Sequence, residues 1–215
     1  MKAERPLHAL PARSASPTCR RLSPAARRAQ LLDCALAEFA ERGLGRAGHA
    51  RIAEAAGVSV PTVFHYFPTR EALVDAVLDQ IEDYFVALAE DVYRSEGSTS
   101  ERLVAHGMAF LAAVDSHPHH VRVWLDWSTA IREHVWPRYL AFQERLVGLV
   151  AAAIEDGRAS GELPERVEPE SAARLFVGNA HMAAVMSFAP NTGIDLPGHV
   201  RQAVATLLAS DPAGR

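Results

Sequence analysis

The stretch IAEAAGVSVPTVFHYFPTREAL, from Ile52 to Leu73, constrains this 215-residue chain more than any other. Ile52 to Ala56 reads as a short helix. Gly57 ends it, because a left-handed turn costs glycine no side-chain clash. Ser59 is placed to cap a second helix, its hydroxyl accepting an otherwise unpaired first-turn amide. Pro61 lies near that helix start, where a missing N–H costs little. The second helix runs from Val60 to Phe67 and stops at Pro68. Thr69 can then cap a longer helix that begins at Arg70. Two short helices joined by a tight glycine turn form a helix-turn-helix, whose second helix can enter a DNA major groove. A generic helix pair would account for the glycine turn but not for FHYFPTRE directly after it.

The rest of the chain is compatible with that head. Hydrophobic residues make up 49% of it, enough for a sizeable core. No long stretch alternates at period two, so the expected class is all-α, with about nine helices. Charges interrupt every apolar run, so no membrane span is expected, and the start lacks the apolar run of a secretory signal. The two cysteines, Cys19 and Cys34, read as free thiols in a reducing cytoplasm. Charge is uneven. Residues 1–68 hold 10 Lys and Arg against 5 Asp and Glu, net +5; the remainder holds 12 against 21, net −9. A basic head on an acidic body suits a polyanion-binding end, although small helical domains also differ by a few charges without consequence.

The expected division is a basic arm at 1–21, a helix-turn-helix domain at 22–68 and a larger helical body at 69–215. Helix 1 is expected over Pro24 to Arg42, capped by Ser23, with Leu31, Leu32, Ala35, Leu36 and Phe39 as its buried stripe. His49 could either cap helix 2 or reach a phosphate. On the recognition helix Val58, Val63, Phe64 and Phe67 read as core, and Val60, Pro61, Thr62 and His65 as the exposed face. Val60 and Pro61 offer apolar contact to a thymine methyl; His65 can donate to guanine or accept from a base amino group, depending on tautomer. Ser59, Thr62 and Tyr66 are placed at or beside phosphates, as are Thr69 and Arg70 at the start of helix 4. In the body, helices are expected over Arg70 to Arg94, Ser100 to Ser116, a tryptophan-bearing stretch reaching Asp156, Pro169 to Phe188, and Gly198 to Ala209. His117-Pro-His-His reads as a turn, and Gly157 to Pro164 as a loop. The face of small residues over 172–184 either pairs with another chain or packs on its own core.

At these residues the chain resembles a known family. A long first helix, the helix-turn-helix, the aromatic FHYF ending and the TREAL that opens helix 4 look like the TetR family of bacterial transcriptional regulators. RRLSPAARRAQLL, the GLGRAGHA segment and VWLDWSTAIREHVWP narrow the resemblance to the LuxR/HapR/SmcR group of quorum-sensing regulators. The resemblance implies a homodimer through the last two helices, bound to a pseudo-palindromic double-stranded operator. It implies that Arg21 and Arg20 enter the minor groove, where a narrow A·T tract attracts guanidinium. It implies that helix 4 links head to ligand pocket, and it maps that pocket onto Phe85, Leu88, Ala89, Phe110, Trp124, Leu125, Gln143, Val147 and Ala180. Repression is the family default, and the group also activates. The chain departs from the group at His65, where Asn is usual, at Ala180, where Cys is frequent, and at Val147, where a polar amide is common. The pocket residues are mostly apolar, which fits a small apolar or aromatic ligand, or else simply a core.

A metal-responsive sensor could draw on His106, His117, His119, His120, His134 and His181, but His117-Pro-His-His lacks a matched pair of helical ligands and both cysteines are distant in sequence. No cofactor is expected. An enzyme is not expected either, since there is no phosphate loop and no nucleophile elbow. A DNA-binding regulator without a ligand has the same sequence signature as a ligand-gated one.

Overall fold

The computed structural model describes residues 22–189 and 193–209. Among them the chain is all-α, in nine helices: α1 (Pro24–Arg42), α2 (His49–Ala56), α3 (Val60–Tyr66), α4 (Arg70–Arg94), α5 (Thr99–Ser116), α6 (Pro118–Ser128), α7 (Trp136–Ala159), α8 (Pro169–Phe188) and α9 (Leu196–Ala209). Arg20 and Arg21 lie outside the described residues. Among the described residues no helix is long and apolar enough to cross a membrane, and no group of three or more His, Cys, Asp or Glu could hold a metal ion.

The ends of several helices follow from local chemistry. Ser23 caps α1 by accepting from the Ala26 amide, and Thr69 caps α4 by accepting from Ala72. Ser98 and Glu101 close a reciprocal capping box on α5. Other boundaries differ from expectation. Helix α2 starts at His49, with Gly48 in extended geometry before it and no side-chain cap. His117-Pro-His-His is not a turn. His117 ends α5 and Pro118 opens α6 directly, in the first-turn position where proline loses nothing. Gly157 does not open a loop either; it is buried inside α7, which continues to Ala159. Helix α9 begins at Leu196, ahead of Gly198.

Helices α1, α2 and α3 pack on a small core of Leu31, Ala35, Phe39, Ile52, Val63 and Phe67. In the body, α5 is central and touches α4, α6, α7, α8 and α9. The head meets the body where α1 lies against α4 and α6. The backbone of Leu44, in the turn after α1, is held there from two directions. Its N–H donates to Asp126 Oδ2 of α6 at 2.7 Å, and its carbonyl accepts from the Arg70 guanidinium of α4.

Candidate nucleic-acid interface and body cavity

The glycine turn sets the angle between α2 and α3. Gly57 has φ 64° and ψ 37°, and the next amide, Val58 N–H, reaches back to the Ala53 carbonyl at 2.9 Å. That bond closes the left-handed helix ending a side chain would strain. Helix α3 then anchors itself through Val63, which is fully buried, and through Phe67 just beyond its end. The rest of its surface faces outward. Ser59, Val60, Pro61, His65 and Thr69 are exposed, and Thr62 and Tyr66 are half-buried. These side chains stand together on the outer side of the head. The His65 and Tyr66 rings meet edge to face, with centroids 5.2 Å apart.

Several individual expectations need correction here. The Ser59 hydroxyl does not cap α3; it pairs with Thr62 Oγ1 at 2.8 Å, so both hydroxyls sit on the exposed side. Phe64 is not core. It is 47% exposed and stacks on the His49 ring at 4.0 Å, nearly parallel. His49 neither caps α2 nor reaches outward. It is buried, and its Nε2 bonds the Phe67 carbonyl at 2.7 Å, which ties the start of α2 to the end of α3. Arg70 is directed to the Leu44 carbonyl instead of standing free at the head of α4, because that carbonyl has no helical partner and a half-buried acceptor must find one.

The body contains a cavity of about 50 Å³ where α4 to α9 converge. Of the residues expected there, Phe85, Phe110, Trp124 and Ala180 line it. The other five do not. Ala89 is fully buried in the core, and Leu88 and Leu125 pack against that core from its edge. Gln143 bonds the Tyr139 hydroxyl within α7. Val147 borders an outward groove between α7 and α8, and its neighbour Leu146 lines the cavity instead. One residue along a helix is a rotation of about 100°, enough to exchange the two faces. Sequence reasoning missed His106, Gly107, Phe176, Asn179, Val200 and Val204. A glycine inside α5 was the available signal, since helix interiors disfavour it unless something approaches closely. A Cβ at Gly107 would lie 2.5 Å from Val200 Cγ1 of α9.

Burial sets the electrostatics of this region. His106 Nδ1 bonds the Tyr93 hydroxyl at 2.8 Å, and burial pushes the His106 pKa down to about 4 and the Tyr93 pKa up. Near the junction with α1, His120 is also lowered to about 4, by burial first and then by the neighbouring His117 and His119. Helix α6 links the two regions. Trp124 lines the cavity and Asp126, two positions on, holds Leu44 of the head; such spacing places two side chains on opposite sides of a helix.

On the outer surface of the body, Leu175, Met182 and Val185 of α8 are exposed at 67%, 54% and 47%. Together with Gly178 they fall at i, i+3, i+7 and i+10, on one face.

Comparison with known proteins places these features. The profile of bacterial regulatory proteins, tetR family, matches residues 31–77. The chain is 40% identical over 158 residues to the HTH-type transcriptional regulator LuxR of Vibrio harveyi, covering 74% of this chain and 77% of that protein. It is 34% identical over 119 residues to the HTH-type transcriptional repressor KstR2 of Mycobacterium tuberculosis, covering 55% of this chain and 58% of that one. Among solved structures it is similar to the transcriptional regulator FadR from Bacillus subtilis in complex with stearoyl-CoA, with TM-score 0.73 and 17% identity, covering 84% of this chain and 97% of that chain. That last likeness carries the fold alone.

Proposed function

The chain belongs to the TetR family of DNA-binding transcriptional regulators, in its LuxR/HapR type, and from that premise we propose a homodimer that reads a pseudo-palindromic operator and is modulated by a small apolar ligand. The observation that carries this reading is the outer face of α3, where Val60, Pro61 and His65 stand exposed beside the Ser59–Thr62 hydroxyl pair. Val60 and Pro61 meet thymine methyls, His65 addresses one base edge, and Ser59, Thr62, Tyr66 and Thr69 meet phosphates. Arg20 and Arg21 occupy the adjoining minor groove. Residues 22–68 form the reading domain and 69–215 the body. One helix of this length reads few bases, and a twofold dimer doubles the site across successive turns of DNA.

The apolar face of α8 supports the dimer. Three large aliphatic side chains in water on one helix face are a cost that a second copy would remove. A ligand in the cavity would act on the head by shifting α4 and α6, through Arg70 and Asp126, and so change the spacing of the two α3 helices. It weakens binding only if it prefers the spacing that DNA does not. A second reading is a regulator that takes no ligand. Its support is the cavity volume of about 50 Å³, far below the roughly 300–1,000 Å³ of ordinary small-molecule sites.

Selection of bound DNA from a random pool, with protomers counted on the winning site, tests the central reading. The expected product is a palindrome with A·T-rich flanks carrying two protomers. A single protomer on an asymmetric site would defeat it.

A further inference from the structure

Among the residues that line the body cavity, those with polar side-chain groups are Trp124, His106 and Asn179. Asn179 Oδ1 is engaged by His199 Nε2 at 3.0 Å, and His106 Nδ1 by the Tyr93 hydroxyl at 2.8 Å. Trp124 differs. The residue is 3% exposed, and its Nε1–H is itself buried with no acceptor among the described residues. The closest ring, His181, lies 4.5 Å away between centroids, but its Nε2 is bonded to Ser128 Oγ at 2.7 Å. The indole is boxed further by Phe85 and Phe110, at 5.9 and 5.5 Å. An indole nitrogen can only donate, and a buried donor left alone costs about 1–3 kcal/mol.

The lining is also free of charge. Among the described residues around the cavity there is no Lys, Arg, Asp or Glu, and burial keeps His106 neutral at ordinary pH. A carboxylate brought there would meet no counter-ion, which is the expensive way to bury a charge. At about 50 Å³ the space matches one or two waters of ~30 Å³ each. A ring-sized molecule therefore enters by parting the lining. The α5–α9 contact at Gly107 and Val200 is close, and Phe176 stands on the neighbouring α8.

We propose that the ligand of this cavity is a neutral aromatic molecule with one hydrogen-bond acceptor, such as an aryl ketone, held by the Trp124 Nε1–H. The inference rests on the reading that the body takes a ligand at all. Trp124 fixes the acceptor, Phe85 and Phe110 flank the ring, and the absence of counter-charge in the lining rejects acids.

The test is an NMR titration of the full chain, watching the indole N–H signals, with acetophenone, α-methylstyrene and benzoate. The first two share an outline and differ by oxygen against CH2; the third is an anion of similar size. Acetophenone is expected to move the Trp124 signal downfield and to bind roughly tenfold tighter than α-methylstyrene, the worth of one hydrogen bond. Benzoate is expected to bind no better than the hydrocarbon. Trp124→Phe should erase the advantage of the ketone and leave hydrocarbon binding in place. If that variant does not fold, the order of the three probes on the wild-type chain decides alone. Equal binding of ketone and hydrocarbon with the Trp124 signal unmoved overturns the proposal, as does benzoate binding tightest. No response to any of the three, in protein that still binds its selected DNA, removes the ligand reading itself and this inference with it, while the DNA-binding reading stands.

Discussion

Helices α3 and α8 both leave apolar side chains in water, and they differ in what surrounds those side chains. On α3, Val60 at 37% and Phe64 at 47% exposure alternate with Thr62 and His65, and Ser59 stands before them. On α8, Leu175, Met182 and Val185 follow one another along a face with glycine between. The first surface offers donors, acceptors and methyl contacts within a few ångströms, which is what discrimination among base edges requires. The second offers area and little else, which suits a partner that only has to cover it. Anchoring differs too. Helix α3 has seven residues with Val63 alone of them buried, whereas α8 has 20 and buries five. A short helix held by the Gly57 turn and the His49–Phe67 bond can change its outward residues at little cost to the fold.

Met182→Asp is the strongest way to break the comparison. A charge in the middle of the α8 face should give monomers in sedimentation and lower operator affinity by at least ~100-fold, since two weakly bound heads no longer act together. Dimers that persist at micromolar protein would show that this face is not the interface. His65→Ala is expected to leave sedimentation untouched and to relax base preference at one position in each half-site, by about 1–3 kcal/mol. A uniform loss across all sequences would reassign His65 to phosphate.

Acid separates the regions further. His106 and His120 are each held near pKa 4 in the folded body against 6.5 in an unfolded chain. The unfolded state therefore binds more protons between those values. Stability is complete above about pH 6.5 and falls as the pH drops toward 4, by up to ~1.4 kcal/mol per pH unit for each histidine. Urea midpoints taken from pH 7 to 4 check this, and a flat profile would contradict it. The smallest effect expected is that of Ser59→Ala. Its hydroxyl bonds Thr62 instead of a backbone amide, so the variant should lose less than ~0.5 kcal/mol, while Thr69→Ala, which removes a genuine cap, should lose ~1. Equal losses in thermal melts would restore Ser59 as a cap.

What the sequence announced, and what it withheld, divides along similar lines. Helices α1, α4 and α8 were legible because a cap or a proline marks each start and a glycine or proline lies at or soon after each end. The helix-turn-helix was legible for the same reason. Phe64 reads as core because helical periodicity puts it beside Val63 and Phe67, and nothing in the one-dimensional pattern shows that His49 provides a shelf for it outside the core. The cavity was half legible. Phe85, Phe110, Trp124 and Ala180 line it, but Val200 and Val204 come from α9, whose approach to α5 depends on Gly107 and is a property of three dimensions. His117-Pro reads as a turn because proline breaks a helix from within; the same residue also starts one.

The hold on Leu44 has a consequence for descent. Asp126 and Arg70 grip its amide hydrogen and its carbonyl oxygen, atoms shared by every amino acid but proline. The joint is therefore blind to the vocabulary of the reading head. Substitutions over 59–66 can give a lineage a new operator without renegotiating how that head is mounted, and a head grafted from a cousin would find the same two fittings waiting. Beyond the packing of α1 on α4 and α6, the mount asks only that an aspartate and an arginine stay where they are.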